Sequence, residues 1–229
     1  MKKLLLISGS ARKQCSGLTF FEEIKSNIPE GKFEVTVIHM LDFYHQAKSI
    51  DELVKMIKDS DLVGICITDY VNTISYPTLT VFEALMEEKV DFKGIHLFGI
   101  AHGGMPYLDV HEHCLRVLEN FALRKKMNYL GGLILGLTPL INGKPLTEAG
   151  FPGKKAQKGL KALTAEVTNF QKVSKATQKK ATIPFPSFVA PFFAKFLNKL
   201  MKEEFAKKGI DLEKDLDPRP YLMATKNEK

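Results

Sequence analysis

The stretch KLLLISGSARKQCSGLT, residues 3–19, decides how the rest of the chain reads. Its first half is a short apolar run that stops at Ser8-Gly9-Ser10, and its second half leads directly into a helix-length segment from Ser16 to Ile28. A second apolar run, Phe33 to Ile38, follows, so the chain opens as a βαβ unit. The alternation continues through Leu62–Ile67, Ile95–Ile100 and Leu130–Leu137. Near-continuous apolar runs suit parallel strands with helices on both faces, where neither face meets water. The expected fold is a three-layer, doubly wound α/β domain with five parallel strands and right-handed crossovers.

Helix signals fall between these runs. Ser49-Ile50-Asp51-Glu52 has the form of a capping box ahead of Leu53, Met56 and Ile57. Pro77 suits the first turn of a helix reaching about Glu88, where its missing N–H costs nothing. Between Leu108 and Met127, Val110, Cys114, Val117, Leu118 and Phe121 form one stripe, and Gly153 to Phe170 makes a further helix. The α/β domain is thus expected over residues 1–172.

At 229 residues, 45% hydrophobic and 26% charged, the chain has the bulk of one large globular domain with its own core. That composition excludes disordered, collagen-like and membrane-spanning classes. The first apolar run is broken at Ser8, too early for a signal peptide, and a cytoplasmic protein is expected. Cys15, Cys66 and Cys114 have no paired spacing, which fits a reducing compartment and gives no disulfide framework. Residues 1–150 carry 16 Lys and Arg against 18 Asp and Glu, while residues 151–229 carry 17 against 8, so the net charge of +7 belongs to the carboxyl-terminal third. Residues 173–229 read as a basic extension with an amphipathic helix. Pro191 precedes Phe192, Phe193, Phe196, Leu197, Leu200, Met201 and Phe205 on one stripe, with Lys195, Lys199, Lys202 and Lys208 largely off it. Such a stripe packs on its own domain, on a second subunit or on an anionic membrane surface. No nucleic-acid partner is expected.

In open α/β sheets a ligand sits beyond the carboxyl ends of the strands where strand order reverses, which singles out the loops after strands one, three and four. In the first, Ser8 to Thr19, glycines permit a tight path, Ser10, Ser16 and Thr19 offer hydroxyls, and a helix begins with free N–H groups, a set that suits a phosphate. A loop that only caps its helix is the plain alternative. Neither Gly-x-x-x-x-Gly-Lys-Ser/Thr nor Gly-x-Gly-x-x-Gly is present, which argues against ATP, GTP and Rossmann dinucleotide chemistry. In the third loop, Gly103 and Gly104 let a flat ring approach the backbone, Tyr107 can stack on it and His102 can donate to pyrimidine oxygens, unless the glycines serve only to turn the chain.

The segments GSAR at residues 9–12 and SGLT at residues 16–19 together resemble the Gly-Ser-x-Arg-x-x-Ser-x-Thr region of the NAD(P)H-dependent FMN reductase family, offset by Lys13 to Cys15. The strand and loop order resembles that family over about residues 1–172. The resemblance implies a flavodoxin-like fold, FMN with its phosphate on Ser10, Arg12, Ser16, Gly17, Leu18 and Thr19, and a homodimer. It also implies NADH or NADPH as hydride donor and a quinone, flavin or similar small molecule as electron acceptor. In the second loop, Tyr70 and Pro77 match the family in kind and Asp69 stands where it has proline. By the same resemblance Asp69, Tyr70, Val71, Asn72 and Thr73 meet the flavin ring edge, backbone N–H groups facing N5 and O4; Asp69 bonding only its own turn is the plain alternative. The cofactor carries the chemistry, so no acid or base is named. An FMN electron carrier, or a flavodoxin-like interaction protein, is the rival reading.

Two further features invite other chemistry. His111-Glu112-His113-Cys114 invites a metal, yet His111 and His113 on one regular helix point about 200° apart, and no metal site is expected from the pair. Cys15, beside Arg12 and a helix start, is placed to become reactive. No Gly-x-Ser-x-Gly elbow supports a hydrolase.

Overall fold

The computed structural model describes residues 1–70 and 73–210. Five strands form where the apolar runs predict them: β1 Lys2–Ser8, β2 Phe33–His39, β3 Leu62–Thr68, β4 His96–His102 and β5 Asn128–Leu135. All pair in parallel, in the order β2-β1-β3-β4-β5. This is the flavodoxin-like order, and its reversal leaves a crevice between the carboxyl ends of β1 and β3.

Side chains alternate across each strand, so a buried strand must be apolar on both sides. Leu4 and Leu6 face one layer and Leu5 and Ile7 the other. The first layer is α1 Ser16–Asn27 and α6 Gly150–Val167, which contribute Phe20, Phe21, Ile24, Leu160 and Leu163. The second holds α2 Met40–Tyr44, α3 Ile50–Lys58, α4 Tyr76–Glu87 and α5 Glu112–Arg124, contributing Met40, Leu53, Ile57, Val81, Phe82, Leu118 and Phe121. Each such fully buried side chain contributes about 1.5–3 kcal/mol. Gly64 in the middle of β3 makes room for an aromatic edge, since a Cβ there would lie 2.3 Å from Phe98 Cζ.

The capping box forms as read. Ser49 Oγ accepts from Glu52 N–H at 3.2 Å, and Glu52 Oε2 accepts from Ser49 N–H at 2.7 Å. Helix α5 is shorter than its apolar stripe implies, because Asp109–His111 make a 3₁₀ turn ahead of it.

The first compact unit runs to Ile183, past the boundary at residue 172 expected from composition. The reason is α7, Lys175–Ala181, which covers the outer edge of β5. Gln178 behaves there as a short piece of strand: its Oε1 accepts from Ile134 N–H at 2.9 Å and its Nε2 donates to Ile134 O at 3.0 Å. Val173 N–H donates to Leu130 O at 2.7 Å. An open sheet edge is thereby closed by a lysine-rich segment that reads as a linker. In the second unit, from Pro184 onward, α8 Ala190–Lys207 starts with Pro191 in its first turn, and the Phe185 and Phe193 rings meet edge to face at 5.2 Å. Phe192, Phe196 and Met201 are exposed. Among the described residues no helix is long and apolar enough to cross a membrane.

Candidate functional site

The first loop is anchored at its base. Gly9 N–H donates to Cys66 O at 2.8 Å, and Gly9 O accepts from Ser75 Oγ at 3.0 Å and Thr78 Oγ1 at 2.7 Å. The β1 loop is therefore tied to β3 and to the start of α4. Ser10 is buried and turns inward to accept from Arg12 N–H at 3.2 Å. His39, at the end of β2, is a strut that no local sequence signal reveals. Its Nδ1 accepts from Leu41 N–H at 3.2 Å, so its Nε2 carries the proton and donates to Arg12 O at 2.9 Å.

Above this base lies a groove of about 480 Å³ lined by Arg12, Gln14, Cys15, Ser16, Leu18, Thr19, Asn142 and Gly143. Helix α1 begins at its floor with no side-chain cap and no acidic residue in the first turn. The N–H groups of Ser16 and Gly17 and the positive dipole end are left for an anion, Leu18 N–H bonding back to Cys15 O at 3.2 Å. Gly17 belongs to packing, since a Cβ on it would lie 3.1 Å from Cys66 Sγ. The far wall comes from the loop after β5, where Asn142 and Gly143 both have positive φ and Thr19 Oγ1 donates to Gly143 O at 3.1 Å. An Asn-Gly turn is visible in the sequence; that it reaches the first loop is not.

A second groove of about 450 Å³, lined by Ala11, Tyr70, Thr73, Ile74, Ser75, Tyr76, Pro77 and Leu79, opens on the other side of the first loop. Tyr70 N–H donates to Thr73 O at 2.8 Å; Val71 and Asn72, also expected at a ring edge, lie outside the described residues. Tyr70 and Tyr107 are partly exposed and Gly104 is exposed.

Two expected ring contacts are turned away from the crevice. His102 is buried between Thr68 Oγ1 at 2.9 Å from Nε2 and Thr138 Oγ1 at 3.1 Å from Nδ1. Thr138 spends its own hydroxyl proton on Gly103 O, so His102 Nδ1 donates to Thr138 and Nε2 accepts from Thr68. Both nitrogens are occupied by protein, and none remains for a pyrimidine oxygen. Burial first, then the nearby charges of His111 and Arg12, bring its pKa down to about 3.

Asp69 is the second. Its side chain is 3% exposed, with Oδ2 2.5 Å from His111 Nδ1. His111 Nε2 lies 3.0 Å from Met105 O, so both ring nitrogens face acceptors and the His111–Asp69 contact holds a proton between them. The ring that approaches Gly103 is this imidazole, for a Cβ on Gly103 would lie 2.4 Å from His111 Cε1.

Cys15, the N-cap residue of α1, has its pKa lowered to about 7: burial pushes it up, and hydrogen bonds from His39, Ser8, Leu18 N–H and Ser10 together outweigh that. Burial raises both other thiols, Cys114 to about 12. Alkylation by iodoacetamide is expected at Cys15 alone, with a rate midpoint near pH 7. Substituting His39→Phe moves that midpoint up; a midpoint that stays put in the variant removes His39 as the cause. Peptide mass mapping across a pH series reads both.

Similar backbones occur among solved structures. An NADH:FMN oxidoreductase in its apo form matches with TM-score 0.57 and 11% identity, over 78% of this chain and 94% of that one. A flavodoxin from Bacillus cereus matches with TM-score 0.55 and 18% identity, over 76% and 100%. The fold is flavodoxin-like. General stress protein 14 from Treponema denticola, determined in complex with FMN, aligns on this flavodoxin-like chain at TM-score 0.51 and 14% identity, over 72% of it and 98% of the stress protein. No protein-family model and no curated protein matches the sequence.

Proposed function

We propose that this flavodoxin-like chain binds FMN and acts as an NAD(P)H-dependent reductase of a quinone, a flavin or a similar small acceptor. The observation that carries the reading is the uncapped amino end of α1 at the floor of the first groove, beside Arg12, Ser16 and Thr19. A phosphate placed there meets backbone N–H groups, the Ser16 hydroxyl and the Arg12 guanidinium, and no carboxylate in the helix's first turn, while the Thr19 hydroxyl is given to Gly143 O. Two of the similar structures carry FMN in their descriptions, and one of these is an NADH-dependent oxidoreductase, which favours the enzyme over a bare carrier. FMN, when bound, supplies hydride acceptance from a nicotinamide and onward transfer of electrons.

The chain's own part is positioning. Arg12 and Ser16 hold the phosphate end, Thr19 ties α1 to the Gly143 wall, His39 and Thr78 keep the loop in place, and Tyr70, Thr73 and Gly104 line the loops that would meet the ring. His102 acts beneath the site as a neutral tie between β3, β4 and the β5 loop. The deciding measurement is the visible spectrum of the purified protein after addition of FMN, then of NADPH or NADH without oxygen. A flavin spectrum bleached by the nicotinamide is expected. Protein that stays colourless overturns flavin binding, and a flavin that neither nicotinamide bleaches overturns the reductase while sparing the carrier.

A further inference from the structure

Beneath the second and third loops, three side chains from two elements bring donor atoms together. Asp69 lies just past β3, and His113 and Cys114 lie in the first turn of α5. Their Oδ1, Nε2 and Sγ atoms all lie within 4.8 Å of one another. His113 Nε2 is 3.4 Å from Asp69 Oδ1 and 3.2 Å from Cys114 Sγ. A tetrahedral zinc ion, with bonds of about 2.0–2.3 Å, needs donors about 3.3–3.6 Å apart. Both His113 pairs are at or near ligand spacing, and the third pair lies within 4.8 Å.

Its hydrogen bonding is incomplete in the manner a cation would complete. His113 Nδ1 lies 2.9 Å from Val110 O, a pure acceptor, so Nδ1 carries the proton and Nε2 turns a lone pair inward. Asp69 Oδ1 is buried and has no hydrogen-bond partner, His113 notwithstanding. The Nε2 lone pair accepts from the Cys114 thiol at 3.2 Å, which leaves Asp69 Oδ1 as the orphan, and a buried carboxylate oxygen without a donor is costly. The outer partners are also in place. His111 holds Asp69 Oδ2 and Val110 O holds His113 Nδ1, the carboxylate and carbonyl supports that orient metal ligands.

We propose that Asp69, His113 and Cys114 form a site for a divalent transition-metal ion, zinc by the donor set, with water in the fourth position. On binding, the Cys114 thiol proton leaves to solvent, and Sγ, Nε2 and Oδ1 each donate an electron pair to the metal; nothing is oxidised or reduced. The thiolate and the Asp69 carboxylate offset the ion's charge, which makes burial tolerable. Entry is from the His113 side, whose ring is 29% exposed while Asp69 is 3% exposed. The bound ion would lock the loop that begins at Asp69 to the start of α5. His111, excluded by helical geometry as a partner of His113, acts here only on Asp69.

The inference does not rest on flavin binding, since its readout is metal uptake. The full chain, freed of metal by a chelator, is titrated calorimetrically with zinc chloride, and cobalt chloride is added to a second sample as a spectroscopic probe. Expected are one zinc per chain and, with cobalt, a thiolate-to-metal charge-transfer band together with tetrahedral visible bands. Cys114→Ser loses the charge-transfer band. His113→Gln, at a partly exposed position where the fold tolerates the change, weakens zinc by more than the roughly 100-fold that an outer partner is worth. Cys15→Ser keeps both signals. A wild-type chain that takes up no zinc overturns the proposal, as does unchanged zinc affinity in His113→Gln or a charge-transfer band lost with Cys15 instead of Cys114.

Discussion

Lowering the pH from about 7 to about 4.5 is expected to remove roughly 2.5–3 kcal/mol of stability through His102 alone. The ring is buried, both its nitrogens are satisfied in the neutral form, and its pKa falls from the ordinary 6.5 to about 3. The sign follows from comparing the two states. With the folded value depressed, the unfolded chain binds the proton more readily at acid pH. The stabilising contribution is whole above about pH 6.5 and is lost progressively as pH falls toward 3. Urea unfolding of the wild type and of His102→Gln at the two pH values separates this loss from the general effect of carboxylate protonation. The wild type should lose more than the variant by about that amount. Equal losses in both chains would show that His102 is not held neutral in the fold.

Substituting Ser16→Asp is expected to weaken FMN binding by roughly 100-fold while leaving the protein as stable as before or more so. Ser16 is the first residue of α1, whose amino end has neither cap nor acidic side chain. A carboxylate there complements the helix dipole and adds about 0.3–1 kcal/mol of stability. The same charge stands about 5 Å from a bound phosphate, and at an effective dielectric near 20 the repulsion is about 3 kcal/mol. The opposite signs make the experiment informative, because a mutation that merely damaged the loop would lower both quantities. Fluorescence titration with FMN gives the affinity and thermal unfolding without flavin gives the stability. Undiminished FMN affinity would place the phosphate elsewhere.

Much of the fold is legible in the chain because it rests on local rules. The inner strands show as apolar runs, since a parallel strand between two helical layers has no wet face to mark with polar residues, whereas the edge strand β2 exposes Glu34 and Thr36. The capping box at Ser49 and the proline at Pro77 show because both act within a single turn. Asp109–His111 break this pattern: the apolar stripe continues through a 3₁₀ turn, and periodicity does not distinguish it from α-helix. Helix α7 was illegible for a different reason. Its work is done by the Gln178 amide on an edge strand more than forty residues earlier, and a lysine-rich surface hides it.

The sequence by itself determined the order of strands and helices, the likeness of residues 9–19 to a flavin-phosphate loop, and hence which edge of the sheet is expected to carry the candidate site. Those are properties of consecutive residues, and hydrophobic periodicity and helix-start chemistry record them directly. Only the tertiary structure decided which polar side chains face the crevice and which turn beneath it. His102 and Asp69 stand in the right loops to touch a flavin, yet one is taken up by Thr68 and Thr138 and the other by His111. Those partners lie on separate elements, and only the packing of β3, β4 and α5 brings them within hydrogen-bonding distance. The same packing places His113 and Cys114 against Asp69, a juxtaposition no spacing along the chain foretells, because donor geometry depends on where helix and strand cross.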